Sequence, residues 1–495
     1  MSDFASKVKW NLLPYTNGEG LDLGCGDARP HDWFRGVDIK AGSTQKGPNL
    51  ILDASKADKF FAAESQDFIF SSYLLQELDD WPAVLAAWWK ILKPDGYLIV
   101  FLPAQEEKAG EGEQPSLKAS SPKKMVDAMA PLKPWQLVEA KLNGDQFFHV
   151  YRKCDRPTDL AVPDHDKICA VMKLGAHGDA MWASSVLPHL KEQGYYVIVY
   201  TQETGESVLR HDPHIDRLIK FESRVPMAEL GELFAWLEKR YKNSRILVEC
   251  VEGTLLPSPT KIQYMFPKVL RHKLMNFNYL DVHHMQARVP MEPRQKFYPS
   301  DEEKAWANEM RAGLAPYVVV LVPNGSSCSK YWPYANMLAH RLLEREDVSV
   351  VVLGDQRGCA FDEHPRLKVV GETWNIRQAF TFAQLANAVV GEETGLLNCV
   401  AFERDVRKVV LLSHSTVENL PRDWPNTASL HGEVPCYPCH RLHYDLGQCH
   451  QSPVTKAAEC QTAISVSMVM REVLPALGEV EEHKPIPFPL RVVSA

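Results

Sequence analysis

Residues Lys167–Leu190 read KICAVMKLGAHGDAMWASSVLPHL. Ile168–Leu174 is a compact apolar run of strand type. A turn built on Gly175 and Gly178 follows, then Asp179 and an amphipathic pattern that predicts one helix through Leu190. A buried strand feeding a Gly-rich turn and a helix N-terminus is the opening unit of a Rossmann-like half-domain. The glycines let backbone approach a ligand closely, and the helix end offers unpaired N–H groups to an anion. Asp179 falls at the carboxyl edge of the sheet, where a carboxylate can serve as a general base. A carboxylate in that position also caps a helix.

Composition sets the frame around this stretch. A chain of 495 residues exceeds one ordinary core, so two or three domains are expected. With 45% hydrophobic and 24% charged residues it has the balance of a soluble globular protein. A net charge of −8 argues against a general nucleic-acid binder. The start, MSDFASKVKWNLLPY, lacks the apolar core of a signal peptide, and no apolar run approaches membrane-spanning length. Eleven cysteines, an odd number in a long chain without such a signal, predict reduced thiols and a cytoplasmic location.

In the N-terminal third, GLDLGCG at residues 20–26 is a short strand running into a Gly-x-Gly turn, and Gly36-Val37-Asp38 ends a second strand on an acid. Glycines admit a nucleoside there and a carboxylate takes its ribose hydroxyls. Leu52-Asp53-Ala54 follows a third strand, and Asp67–Ser72 is a fourth. The helix Trp81–Leu92, the turn Lys93–Gly96 and the strand Tyr97–Leu102 come next, with closing strands near Trp135–Val138 and Phe147–Tyr151. Over residues 15–153 this order resembles the class I S-adenosylmethionine-dependent methyltransferases. The resemblance implies cofactor contact by Asp22, Gly24 and Gly26, ribose binding by Asp38, and adenine binding near Asp53 and Ala54. After the fourth strand, many relatives have a histidine where this chain reads Tyr73-Leu74-Leu75-Gln76-Glu77. Cofactor binding is therefore better supported than methyl transfer, and a retired domain kept as a scaffold is the alternative. The segment Gln105–Lys124, rich in Glu, Lys, Gly, Ser and Pro, cannot bury enough apolar surface to order itself and reads as a mobile loop or lid.

Beyond a linker at Arg152–Pro163, strands at Gly194–Thr201, Asp216–Ile219 and Ser244–Cys250 alternate with a helix over Ala228–Arg240, which predicts a second parallel α/β sheet. Met285–Pro299 is a proline-broken connection. A third unit opens with the strand Tyr317–Pro323 and the loop Asn324–Lys330, whose small hydroxyls and lysine suit a diphosphate. Later, the strand Leu385–Val390 leads to Glu392-Glu393-Thr394-Gly395-Leu396-Leu397-Asn398, a second helix end suited to an anion.

Residues 165–475 resemble the family-nine glycosyltransferases, which include the lipopolysaccharide heptosyltransferases and have two Rossmann-like domains around a cleft. The resemblance implies that Gly178-Asp179 supplies the general base of an inverting transfer. Ser326, Ser327 and Lys330 would form its phosphate segment, and Glu393-Thr394-Gly395 its acid–hydroxyl–glycine turn. Glu393 stands in place of the usual aspartate and Asn398 where a histidine is common, so the donor is not fixed as ADP-heptose. Asp179 would take the proton of an acceptor hydroxyl. Lys330 and the helix end would stabilise the departing nucleoside diphosphate, with no obligatory metal.

Cys436-x2-Cys439-x9-Cys449-x10-Cys460 is a metal signal, with reduced buried thiols or a disulfide as the alternatives. Its Cys-x-x-Cys start is similar to a four-cysteine iron finger of related protein heptosyltransferases, so zinc and iron are both open.

Taken together, the expectation is an α/β chain of three Rossmann-like doubly wound units. Residues 1–155 form an S-adenosylmethionine-dependent domain, 156–300 a GT-B acceptor domain, and 301–495 a GT-B nucleotide-sugar domain carrying the four-cysteine segment 436–460. Its partners would be a nucleotide-sugar and a glycan or glycosylated acceptor. The rival expectations are an assembly module with one or both centres inactive, and a protein O-glycosyltransferase.

Overall fold

The computed structural model describes residues 4–104, 121–154, 165–221, 225–356, 358–371, 373–445, 447 and 449–478. Most of the expected lid, at 105–120, and most of the expected linker, at 155–163, lie outside them. The chain separates into two compact units. One is 1–170 with 200–203 and 219–244; the other is 171–199 with 204–218 and 245–495.

In the N-terminal region β1 (Gly20–Leu23), β2 (Arg35–Asp38), β3 (Leu50–Ile51), β4 (Gln66–Ser72), β5 (Leu92–Pro103), β6 (Gln136–Asn143) and β7 (Gln146–Arg152) form one sheet. Its order is β3-β2-β1-β4-β5-β7-β6. The first five strands pair in parallel, and β7 runs antiparallel to both β5 and β6. Successive strand residues point to opposite faces, and both faces are buried. Phe68 and Phe70 pack with Val8, Leu12 and Phe34, whereas Ile69 packs with Trp88, Leu85 and Leu98 on the other side. The stretch Lys93–Gly96, expected as a turn, is instead part of β5. The extra residues are taken up by a register shift opposite Gln66 and Phe68, with Asp95 left-handed at φ 64°.

The second sheet joins β8 (Ile168–Lys173), β9 (Tyr196–Thr201), β10 (Arg217–Lys220) and β11 (Asn243–Ile246) in the order β10-β9-β8-β11. The third joins β12 (Tyr317–Val322), β13 (Val348–Leu353), β14 (Leu367–Gly371), β15 (Ala388–Glu392), β16 (Arg407–Leu412) and β17 (Thr427–His431), all parallel, in the order β14-β13-β12-β15-β16-β17. Val319 and Leu321 of β12 pack against Leu338, Leu342 and Ile464. In each sheet the first strand lies inside and the order reverses beside it, which opens a crevice at the strands' carboxyl ends.

The single helix expected over Asp179–Leu190 is two helices, His177–Ser184 and Leu187–Glu192. Pro188 cannot donate to the carbonyl four residues back and its ring crowds that carbonyl, so the first helix ends at Ser184.

Candidate functional site

Asp179 sits at the third position of its helix, and its Oδ2 accepts the Ala176 N–H at 2.9 Å, so it does cap the helix. The tight turn before it needs Gly175, which has φ 120°; a Cβ there would stand 2.9 Å from the Asp179 carboxyl carbon. Asp179 is nonetheless more than a cap. It is buried, and Lys173, the last residue of β8, brings its Nζ within 3.3 Å of Oδ1. The same ammonium donates to the Leu247 carbonyl at 2.9 Å and lies 3.3 Å from His283 Nε2. Burial alone would raise the Asp179 pKa. The Lys173 charge, with hydrogen bonds from Glu252 and the Ala176 N–H, outweighs it and holds the carboxyl below its ordinary value. Burial, which also pushes Lys173 down, loses there to the attraction of Asp179 and Glu252.

This group meets the C-terminal turn. Gly178 lies 3.7 Å, measured from where a Cβ would stand, from Asn398 Nδ2 and 3.8 Å from Gly395 Cα. Asn398 is fixed from both sides: its Oδ1 accepts the Trp182 indole N–H at 2.7 Å, and its Nδ2 donates to the Thr394 carbonyl at 2.8 Å. Thr394 caps the short helix Gly395–Cys399. The loop after β12 supplies Lys330, which is buried and donates to the Glu393 carbonyl at 2.7 Å. Burial lowers its pKa against the pull of Glu393 and Glu392, and the charge of Asp179 is felt there too.

Three parts of this arrangement depart from a bare phosphate cradle. Ser327 is buried and gives its hydroxyl to the His443 carbonyl at 2.6 Å, while Ser326 is exposed. Glu393 is matched by His414, whose Nδ1 lies 2.9 Å from Oε2, and by the hydroxyl of Ser415. Burial would raise the Glu393 pKa, but His414 and Lys330 hold it near about 2. Burial pushes His414 down, against the pull of Glu393. Glu392 has both oxygens buried without a hydrogen-bond partner among the described residues, and burial with the neighbouring Glu393 charge pushes it well up.

Lys173, Glu252, His283 and His414 were not singled out in the sequence. Lys173 ends a buried strand, and His414 lies two residues beyond β16. A charge at the carboxyl end of an apolar strand is the signal that finds such residues.

In the N-terminal unit, Gly24 and Gly26 take φ 79° and 55° after β1. Among the described residues, a Cβ at Gly26 would meet nothing within 4 Å, so they leave open room above the loop. Asp38, ending β2, accepts the Gly26 N–H at 3.0 Å and the Lys40 N–H at 3.1 Å. Asp22 is buried at the same edge. Burial first, then the charges of Asp22 and Asp38, push the Cys25 thiol up. These residues fit a ligand that carries hydroxyls and needs backbone approach. Asp53 has a local job: it accepts the Ser55 N–H at 3.0 Å and pairs with Lys56 at 2.8 Å, while the Ala54 carbonyl takes the Trp88 indole N–H at 2.8 Å.

Cys436, Cys439, Cys449 and Cys460 share one neighbourhood. Burial first, then Cys449, Cys439, Glu392 and Cys436, pushes Cys460 up; burial first, then Cys439, Cys328 and Cys436, pushes Cys449 up. Yet among the described residues no group of three or more His, Cys, Asp or Glu side chains is arranged to hold a metal ion. His443, beside Cys439 at 3.8 Å, is engaged by the Tyr264 hydroxyl at 2.8 Å. The expected four-thiolate set is thus gathered but not converged. No helix among the described residues is long and apolar enough to cross a membrane.

Residues 21–100 match the family model described as a methyltransferase domain. No curated protein matches the chain. Among solved structures, the chain is similar to the ADP-heptose lipopolysaccharide heptosyltransferase II of E. coli, at 16% identity and a TM-score of 0.45, over 63% of this chain and 98% of that one. It is similar to a glycosyl transferase family 9 protein of Veillonella parvula, at 15% identity and a TM-score of 0.46, over 64% and 98%. It is also similar to the 1,6-didemethyltoxoflavin-N1-methyltransferase of Burkholderia thailandensis, at 14% identity and a TM-score of 0.26, over 31% and 80%.

Proposed function

We propose that the chain is a bifunctional glycan-modifying enzyme. Residues 1–155 would bind S-adenosylmethionine and transfer its methyl group; 156–300 and 301–495 would transfer a heptose or hexose from a nucleotide-sugar to an acceptor hydroxyl with inversion. The observation that carries the second reaction is the buried Asp179, paired with Lys173 at 3.3 Å, with its neighbour Gly178 set beside Asn398 and Gly395. The acceptor oxygen attacks the anomeric carbon, the bond from that carbon to the diphosphate breaks, and its electrons leave with the diphosphate. The acceptor's proton goes to Asp179. Lys330 and the N–H groups at Gly395 lower the energy of the charge that builds on the leaving group.

In the first domain, S-adenosylmethionine would supply an electrophilic methyl group. Asp38 would take the ribose hydroxyls, and Gly24 and Gly26 would admit the cofactor, supported by the open room above Gly26. A structural zinc or iron on the four cysteines is a separate expectation, supported by their shared neighbourhood alone.

A second reading has its own support. Lys330 already donates to Glu393 and Ser327 to His443, as in a site kept for binding or assembly with its chemistry lost. Calorimetric titration with S-adenosylmethionine and a nucleotide-sugar panel, followed by product mass spectrometry, separates the two. Added glycosyl and methyl mass supports the enzyme; binding with no added mass supports the module.

A further inference from the structure

The helix Lys268–Met275 is built inside out. Helical spacing puts Val269, Leu270, Lys273 and Leu274 on one face, with Arg271 and Met275 on the other. A surface helix ordinarily turns its apolar face to the core and its charges outward. Here Arg271 is buried, whereas Val269 is 81% exposed, Leu274 48% and Leu270 39%. The short turn before the helix, Ile262–Met265, and the chain just after it continue this: Ile262 is 76% exposed, Met265 74% and Phe277 56%. The inner side is pinned. Lys268 Nζ donates to the Pro435 and Tyr437 carbonyls at 2.6 and 2.7 Å, and Arg271 Nε to the Cys439 carbonyl at 2.7 Å. Asn419 Nδ2 holds the Met275 and Phe277 carbonyls at 2.7 and 2.9 Å, and Arg441 Nε the Tyr264 carbonyl at 2.7 Å. A helix this short does not persist alone in water, so the fold itself holds the apolar side chains outward. Exposed apolar side chains in such a cluster mark an interaction surface.

Charge says what covers it. Between Glu252 and Asp281 the chain has no acidic residue, although it carries 63 acids and a net charge of −8. That stretch holds Lys261, Lys268, Arg271 and Lys273. Lys261 is matched by Glu249 at 2.8 Å. Lys268 and Arg271, like Arg441, give N–H groups to carbonyls, which cancel no net charge. Lys273 is exposed on the apolar face itself. Apolar side chains set among uncancelled cations complement a surface that is anionic outside and apolar beneath. We propose that Ile262–Met265 and Lys268–Met275 dock the chain on a bilayer containing anionic lipid. Val269, Leu270 and Leu274 enter the boundary between headgroups and acyl chains, and Lys273 meets lipid phosphates. This inference does not rest on the transfer reading above.

The test is sedimentation of the full-length protein with vesicles of phosphatidylcholine alone, and with vesicles of phosphatidylcholine and phosphatidylglycerol in equal parts. The expected result is binding to the anionic vesicles that weakens as salt is added, with little binding to the neutral ones. Val269→Gln combined with Leu274→Gln should weaken binding about 10-fold or more, as loss of two inserted apolar side chains does. Lys273→Gln should weaken it about fivefold, one lysine's share at an anionic surface. Should the double variant fail to fold, Lys273→Gln, at an exposed position, decides alone. Absence of binding to anionic vesicles, equal binding to both kinds, or equal binding by wild type and variants overturns the proposal. It is overturned equally if light scattering finds a wild-type dimer that the double variant makes monomeric, because a second copy would then cover this face.

Discussion

The ammonium of Lys173 stands 3.3 Å from Oδ1 of Asp179, and both side chains are buried. One ends the first strand of its sheet and the other opens the helix that follows, so the strand–turn–helix unit itself brings them together. A carboxylate this deep stays ionised only because the cation is there.

Removing that cation leaves an uncompensated charge. Lys173→Met should lower the unfolding free energy at pH 7 by about 3–5 kcal/mol, measured by urea titration. Asp179 lies below its ordinary value in the folded chain, so the pair's contribution is present above about pH 4 and is lost as the pH falls through the folded value. The deficit of the variant should therefore shrink in acid. A deficit equally large at pH 3 would mean that packing, not charge, is what Lys173 supplies.

Asp38 offers an independent handle on the N-terminal centre. Asp38→Ala removes an acceptor of the Gly26 N–H and the proposed partner of the ribose hydroxyls. It should weaken S-adenosylmethionine binding by about 10- to 100-fold, as loss of charged hydrogen bonds does, and leave nucleotide-sugar affinity unchanged. Calorimetry with both ligands reads this directly. An unchanged S-adenosylmethionine affinity would remove Asp38 from the cofactor site.

Gly391 tests the packing beneath the C-terminal turn. A Cβ there would stand 2.5 Å from the Val322 carbonyl oxygen, backbone of the neighbouring strand that cannot swing aside. Gly391→Ala should cost about 1–3 kcal/mol in stability, the usual range for overpacking, and reduce donor affinity through Glu393 and Thr394. Wild-type stability in the variant would show that β12 and β15 can part at this edge.

The four gathered thiols yield a yes-or-no result. Protein purified without added metal should carry zinc or iron in a near-stoichiometric amount, and Cys439→Ser should lose most of it. A metal-free, folded sample would leave the segment to its packing and hydrogen bonds.

The strand, Gly turn and helix start at 168–179 are local features, carried by apolar run length and by glycines at fixed offsets, so they are legible in the chain. The same holds for the sheet order near Asp22 and Asp38. Pro188 also marks the helix break; the amphipathic pattern that runs across it hides the signal. The partner of Glu393 was not legible: Glu393 meets His414 only because β15 and β16 are neighbours. Such pairings come from topology, and local spacing carries no trace of them. Lys330 was legible as a cation after a strand, but its commitment to the Glu393 carbonyl was not.

The most direct test is product mass after wild type and Asp179→Asn are each incubated with a nucleotide-sugar panel and glycan acceptors. The expected result is added glycosyl mass with wild type and a rate about 10²- to 10⁴-fold lower with the variant, as for loss of a general base, at nearly unchanged donor Kd. Equal turnover by the two proteins would contradict a role for Asp179 as base.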